Sequence, residues 1–186
     1  MESLKGQIFN KLFLSDSTPT YDEIADNLGI KRTQVVKEAV DGFRNNPDNR
    51  NVLGDIKRLK GLFNNKRKIY KNEFKFRSFE EFYRWYKNTY NDLGGACKYC
   101  GTPEGDIKKL VVDLSKSKRA VTRGRHLEIE RRNSSSDNNE YSPDNCTLCC
   151  YICNNAKSDI FQNEQDFITI GAAIGEKVKG MLLKNV

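Results

Sequence analysis

Apolar residues recur at helical spacing along much of the chain. Leu4, Ile8 and Leu12, with Phe9 beside them, predict an amphipathic helix over residues 2–14. Thr18-Pro19-Thr20 breaks it. Thr20 and Glu23 then read as a capping box, with Ile24 and Leu28 continuing the apolar face. Gly29 suits the left-handed residue that ends such a helix. Ile30, Val35, Val36 and Val40 mark a second helix from about Arg32, and residues 45–55 read as a linker or turn. Residues 57–77 interleave basic side chains with Ile69, Tyr70, Phe74 and Phe76, a mix that suits a strand or an extended arm. Ser78 and Glu81 cap a further helix reaching about Leu93, where Gly94-Gly95 stops it. Its aromatic residues Phe79, Phe82, Tyr83, Trp85, Tyr86 and Tyr90 read first as core and only second as a stacking platform. Residues 134–139 are a polar loop. A last helix from about Asn163 to Leu183 sets Phe167, Ile170, Ile174 and Val178 at helical spacing, for core packing first and a dimer seam second.

Composition bounds what these elements can build. A chain of 186 residues makes one domain or two small ones. With 37% hydrophobic and 31% charged residues the core is small. No apolar run reaches the ~18–20 residues of a membrane span. The first residues lack the charged, apolar and small-residue order of a secretory signal, so a soluble, cytoplasmic chain is expected. In that compartment disulfides are a poor explanation for six cysteines. A single histidine excludes a His-rich zinc enzyme and any chemistry needing two imidazoles.

Charge divides the chain into three regions, 1–54, 55–94 and 95–186. The first is helical and carries 7 basic against 8 acidic residues; the second, the basic arm and aromatic helix, carries 11 against 5; the third carries 14 against 12. Within the third, residues 107–132 hold nine basic side chains, Arg123 among them, against three acidic ones. Basic strips of this kind point to a polyanion, because each neutralised phosphate releases counterions. Lys66, Arg67 and Lys68 are the densest run in the middle region. The first region resembles the "EIA…LG…V" pattern of DNA-binding helix-turn-helix segments, which implies that Lys31, Arg32, Thr33, Gln34 and Lys37 of its second helix face DNA. An ordinary helical hairpin is the alternative.

All six cysteines lie between Cys97 and Cys153. Cys97-Lys-Tyr-Cys100-Gly101 has the form of a zinc knuckle, two thiolates able to reach one ion. The second pair is open on spacing, since Cys146/Cys149 and Cys150/Cys153 both fit. Four thiolates close a tetrahedral structural site. A redox pair needs only one such motif and a different strand–helix setting.

The run from Arg125 to Phe161 resembles the HNH nucleases, the ββα-metal or His-Me finger enzymes. Its strand is His126-Leu-Glu-Ile-Glu130-Arg131, its loop ends in Tyr141-Ser-Pro-Asp-Asn145, and Cys150-Tyr-Ile-Cys153-Asn154-Asn155-Ala-Lys157 opens the helix. The resemblance covers about residues 97–161. It implies an α+β fold in which the helical N-terminal part precedes a zinc-stabilised ββα-metal module, with zinc on Cys97, Cys100, Cys150 and Cys153. It also implies Glu130 and Asn154 on a catalytic Mg2+ or Mn2+, Asn145 ordering the loop, and Arg131 and Lys157 on phosphates. Arg131 stands where the family's base histidine is expected. The readings left are His126 displaced along the strand, Tyr141 as a substitute, or a silent site; Glu-Arg or Asp-Arg in this place is similar to small bacterial and phage HNH proteins. The function implied is site-specific cleavage of double-stranded DNA, by a type II restriction endonuclease acting as a homodimer. A phage-type homing endonuclease and an inactive HNH-derived zinc protein that binds nucleic acid are the alternatives.

Overall fold

The computed structural model describes residues 2–113 and 124–183. It combines helices with one two-stranded antiparallel sheet, an α+β arrangement. The chain separates into two units, one of Met1–Lys71 with Phe76–Arg84 and one of Asn72–Lys75 with Trp85–Val186.

In the first unit, α1 (Leu4–Phe9) is capped by Ser3 and widens into a π-helical turn over Asn10–Leu14. Helix α2 (Tyr21–Asn27) starts on the capping box: Thr20 N–H donates to Glu23 Oε2 at 2.7 Å and Glu23 N–H to Thr20 Oγ1 at 3.2 Å. Gly29 adopts φ +66°, the conformation that a side chain disfavours, and α3 (Thr33–Asn45) follows. Ile8, Leu12, Ile24, Ala25, Val36 and Val40 form the core of these three helices.

Residues 57–69 of the basic stretch are not extended: they belong to helix α4 (Arg50–Ile69), which also takes in the end of the expected linker, while 70–77 follow outside it, with Phe74 in an isolated bridge to Tyr141. Ile56, Leu59 and Phe63 sit three and four residues apart and are all buried, so one helical face supplies the burial and the lysines and arginines occupy the rest. Helix α5 (Phe79–Asp92) begins in this unit, where Phe79 N–H donates to Asp16 Oδ1 at 2.6 Å. The Phe63 ring lies 5.8 Å from Phe79 and 5.6 Å from Phe82, so these aromatic side chains are core.

Helix α5 ends in the second unit, where Trp85 Nε1 donates to Pro143 O at 3.1 Å and Tyr86 Oη to Leu127 O at 3.0 Å. Gly94 and Gly95, both at positive φ, stop it. Helix α6 (Glu104–Asp113) follows. Strands β1 (Glu128–Arg131) and β2 (Cys146–Cys149) pair antiparallel, with Glu128 opposite Cys149 and Glu130 opposite Thr147. Helices α7 (Tyr151–Lys157) and α8 (Glu164–Leu182) complete the order. On α8, Phe167, Gly171 and Val178 are buried and Ile170 is exposed, so the packed stripe runs through a glycine rather than through Ile170. None of the described helices is long and apolar enough to cross a membrane.

Candidate functional site

Cys97, Cys100, Cys150 and Cys153 come together, their sulfurs all within 4.8 Å of one another, and could hold a metal ion such as zinc. Bonds of ~2.3 Å to a tetrahedral zinc put its sulfurs about 3.8 Å apart. Cys100 Sγ and Cys150 Sγ are 3.7 Å apart. Local structure aims them. The Cys97–Cys100 turn closes through Gly101 N–H to Cys97 O at 2.9 Å and Cys97 N–H to Thr102 O at 3.0 Å, with Gly101 at φ +66°. Cys150 precedes α7, its sulfur taking the Cys153 N–H at 3.4 Å. Packed this closely, the thiols share protons unequally: Cys150, then Cys153 and Cys97, hold Cys100 well below the ordinary thiol range, while Cys150 and Cys153 are themselves pushed up by their sulfur neighbours; a metal would bind all four as thiolates. Cys146 and Cys149 lie buried in β2, outside the cluster, and burial pushes the Cys149 thiol up.

Helix α8 presses directly on this turn. A Cβ at Gly175 would meet Cys100 O at 2.3 Å, and one at Gly171 would meet Tyr99 Cβ at 2.6 Å. Gly171 and Gly175 thus let the helix backbone approach the ligand loop. Their four-residue spacing on one helix face is a sequence signal for that contact. Gly175→Ala is expected to cost about 1–3 kcal/mol by overpacking. Gly180→Ala, where a Cβ meets nothing within 4 Å, should be neutral or slightly stabilising; urea unfolding of the two variants compares them.

Beside the cluster, β1 and α7 bring polar side chains together in two pairs. Asn154 Nδ2 donates to Glu128 Oε2 at 2.5 Å. Lys157 Nζ donates to Glu130 Oε1 at 3.3 Å. The helix offers residues one turn apart and the strand offers residues two apart, so each periodicity turns a stripe toward the other. The expected metal pair was Glu130 and Asn154. Asn154 meets Glu128, and the Glu130 carboxylate, 7% exposed, faces an ammonium that is fully buried.

Arg131 and Lys157, expected on phosphates, are both buried. Arg131 is buried, donates to Asn139 Oδ1 and, at 2.8 Å, to Asp159 Oδ1, and lies 4.9 Å over the Tyr141 ring. Tyr141 is itself buried, its backbone bonded to Glu73 and Lys75, so packing accounts for it. Asn145 holds the loop between the strands. Its Nδ2 donates to Asn133 O at 2.8 Å, Asn138 O at 3.1 Å and Glu140 O at 2.9 Å, while its Oδ1 accepts from Asn133 N–H at 3.0 Å.

His126 sits just before β1 and pairs with Glu104, at the start of α6: Nδ1 and Oε1 are 3.3 Å apart. Leu127 N–H donates to Glu104 Oε2 at 2.9 Å and Lys108 Nζ to Oε1 at 2.8 Å. Burial would raise this carboxyl, but the bonds from His126, Lys108 and Leu127 overcome it and hold it at about 2, below its ordinary 4.5. A carboxylate so depressed stabilises the fold above pH 4.5, and that contribution is lost as pH falls toward 2. Glu104→Gln should lower stability at neutral pH by on the order of 2–3 kcal/mol, and the difference from wild type should vanish near pH 2. Denaturant titrations at stepped pH read it.

In the first unit, Lys31, Arg32, Gln34 and Lys37 are exposed at and before the start of α3, and Gln34 also bonds Glu38 at 3.0 Å. On α4, Arg67 and Lys68 are exposed and Lys66 is half-buried, 5.0 Å over the Tyr70 ring. Arg123 lies outside the described residues. Glu104 and Glu128 escaped the site expected from sequence. No spacing rule links Glu104 to a histidine 22 residues away, whereas strand alternation does place Glu128 on the face of Glu130. Comparison of the chain with family models, with curated proteins and with solved structures finds no match.

Proposed function

We propose that the chain is a metal-dependent DNA endonuclease of the HNH, ββα-metal type, serving as a type II restriction enzyme. The observation that carries this reading is one helix start with two duties. Helix α7 supplies Cys150 and Cys153 to the four-sulfur cluster and, directly after Cys153, turns Asn154 to the Glu128 carboxylate of the paired strands. The ion in the cluster is zinc and its duty is structural, since four thiolates leave no open position for substrate.

Glu128 and Asn154 offer oxygen donors, which suit a hard cation such as Mg2+ or Mn2+ completed by phosphate and water. A cation held there would stabilise the charge that develops on the scissile phosphate. The chain's own residues do the rest. His126 accepts a proton from the attacking water. Asn145 fixes the loop that follows β1, and Lys157 neutralises Glu130 so that the second strand carboxylate adds no repulsion. Lys31, Arg32, Gln34 and Lys37, with Lys66, Arg67 and Lys68, supply contacts to double-stranded DNA. A palindromic target implies a homodimer.

Zinc-loaded protein incubated with supercoiled plasmid should nick or linearise it in Mg2+ or Mn2+ and leave it intact in a chelator. Asn154→Ala and Glu128→Gln should each slow cutting by about 10²–10³-fold while salt-dependent DNA binding persists. Salt-dependent binding with no cutting by wild type, across both metals and varied DNA, would replace this reading with a zinc protein that binds nucleic acid without cleaving it.

A further inference from the structure

His126 is the only histidine in the chain. Which of its ring nitrogens carries the proton decides which one can act as a base toward water. A neutral imidazole has one N–H and one lone pair, and the partner of one nitrogen fixes the role of the other. Glu104 is that partner.

Three features make Glu104 a fixed anion rather than a chance neighbour. Its side chain is 10% exposed, against 37% for His126. It stands in the first turn of α6, where a negative charge is favoured. Both of its oxygens are held, Oε2 by the N–H of Leu127, the residue after the histidine, and Oε1 by Lys108. The Leu127 bond ties the carboxylate to the backbone that carries the imidazole, so the two groups keep their register. For the neutral imidazole the chemistry at Nδ1 then has one solution: Nδ1–H donates to the carboxylate and Nε2 holds the lone pair. Among the described residues Nε2 has no hydrogen-bond partner. Only Leu127 separates His126 from Glu128, a Cα–Cα span of at most about 7 Å.

We infer that Glu104 is the positioning residue of the base, fixing His126 as the Nδ1–H tautomer and presenting Nε2 to the attacking water. The inference rests on the nuclease reading for the base role, but the pair itself is testable without DNA.

The test labels the histidine ring with 15N in the full-length, zinc-loaded protein at pH 8.5. With one histidine, the two ring nitrogens give unambiguous signals. Wild type should show a protonated Nδ1 and an unprotonated Nε2. Glu104→Ala should shift the proton to Nε2, the site preferred in water, and Lys108→Met should leave the tautomer unchanged. Glu104→Gln, near-isosteric and still able to accept from Leu127 N–H, guards against loss of folding; it should lower kcat for plasmid cutting at least about tenfold with KM unchanged. A wild-type ring protonated at Nε2, or a tautomer indifferent to Glu104→Ala, overturns the inference. A wild type with the Nδ1–H tautomer that cuts no DNA overturns the base role through the nuclease reading, leaving the pair intact.

Discussion

Stripped of its metal, the unit containing Trp85–Val186 is expected to lose its folded state. Structural zinc on four thiolates contributes an apparent binding free energy of about 10–16 kcal/mol near neutral pH, as much as the whole net stability of a typical domain, about 5–15 kcal/mol. The sulfurs join the Cys97–Cys100 turn to the start of α7, and α8 packs on that turn through Gly171 and Gly175. The sheet beside them has four residues in each strand, too little to fold by itself. Metal analysis should find one zinc per chain in wild type and in Cys149→Ala, whose thiol lies in β2, and none in Cys153→Ala. Calorimetry should show the transition of this unit vanish in Cys153→Ala and after chelation. The first unit contains none of the six cysteines and should keep its own transition. An unchanged melting profile after complete metal removal would refute a structural role for the cluster.

The second large effect belongs to Lys157. Its side chain is fully buried and its ammonium lies 3.3 Å from Glu130 Oε1. Such a pair stabilises little relative to a well-packed apolar pair, because both charges have been taken out of water. Breaking it is another matter. Lys157→Met leaves the Glu130 carboxylate buried without its counter-charge, and the expected cost is about 3–5 kcal/mol. Glu130→Gln strands the ammonium and should cost a similar amount. Together, Glu130→Gln and Lys157→Met should cost much less than the sum of the two, a coupling that a double-mutant cycle in urea measures directly. Additive losses would mean that the two groups do not share an interaction. The same experiment separates the strand carboxylates. Glu128→Gln, at a half-buried position paired to a neutral amide, should cost little stability and much activity, whereas Glu130→Gln loses stability first.

Much of the local structure was legible because it depends on neighbours in sequence. The Thr20–Glu23 box and Gly29 mark α2 by chemistry that acts over three or four residues. Helix α4 is masked in the sequence by its own charge: nine basic residues between 57 and 77 dilute the apolar spacing of Ile56, Leu59 and Phe63. Spacing alone left the second cysteine pair open, because two overlapping pairs obey the same rule. Pairing of Cys146–Cys149 with β1 as a strand leaves Cys150 and Cys153 at the helix start to meet Cys97 and Cys100. The choice between Glu128 and Glu130 was not legible either. Alternation puts both on one face, and only the third dimension shows that Lys157 takes one and Asn154 the other. The lone histidine was conspicuous from the start, but its partner at the head of α6 is a tertiary contact with no pattern in the chain.

The proposed activity, cutting DNA at a defined sequence, is tested most directly by sequencing the ends produced from a random-sequence duplex pool. Zinc-loaded wild type with Mg2+ should yield ends enriched in one recurring sequence of two-fold symmetry, and Asn154→Ala should yield none. Ends no more frequent or more uniform than those from the chelated protein would contradict the claim.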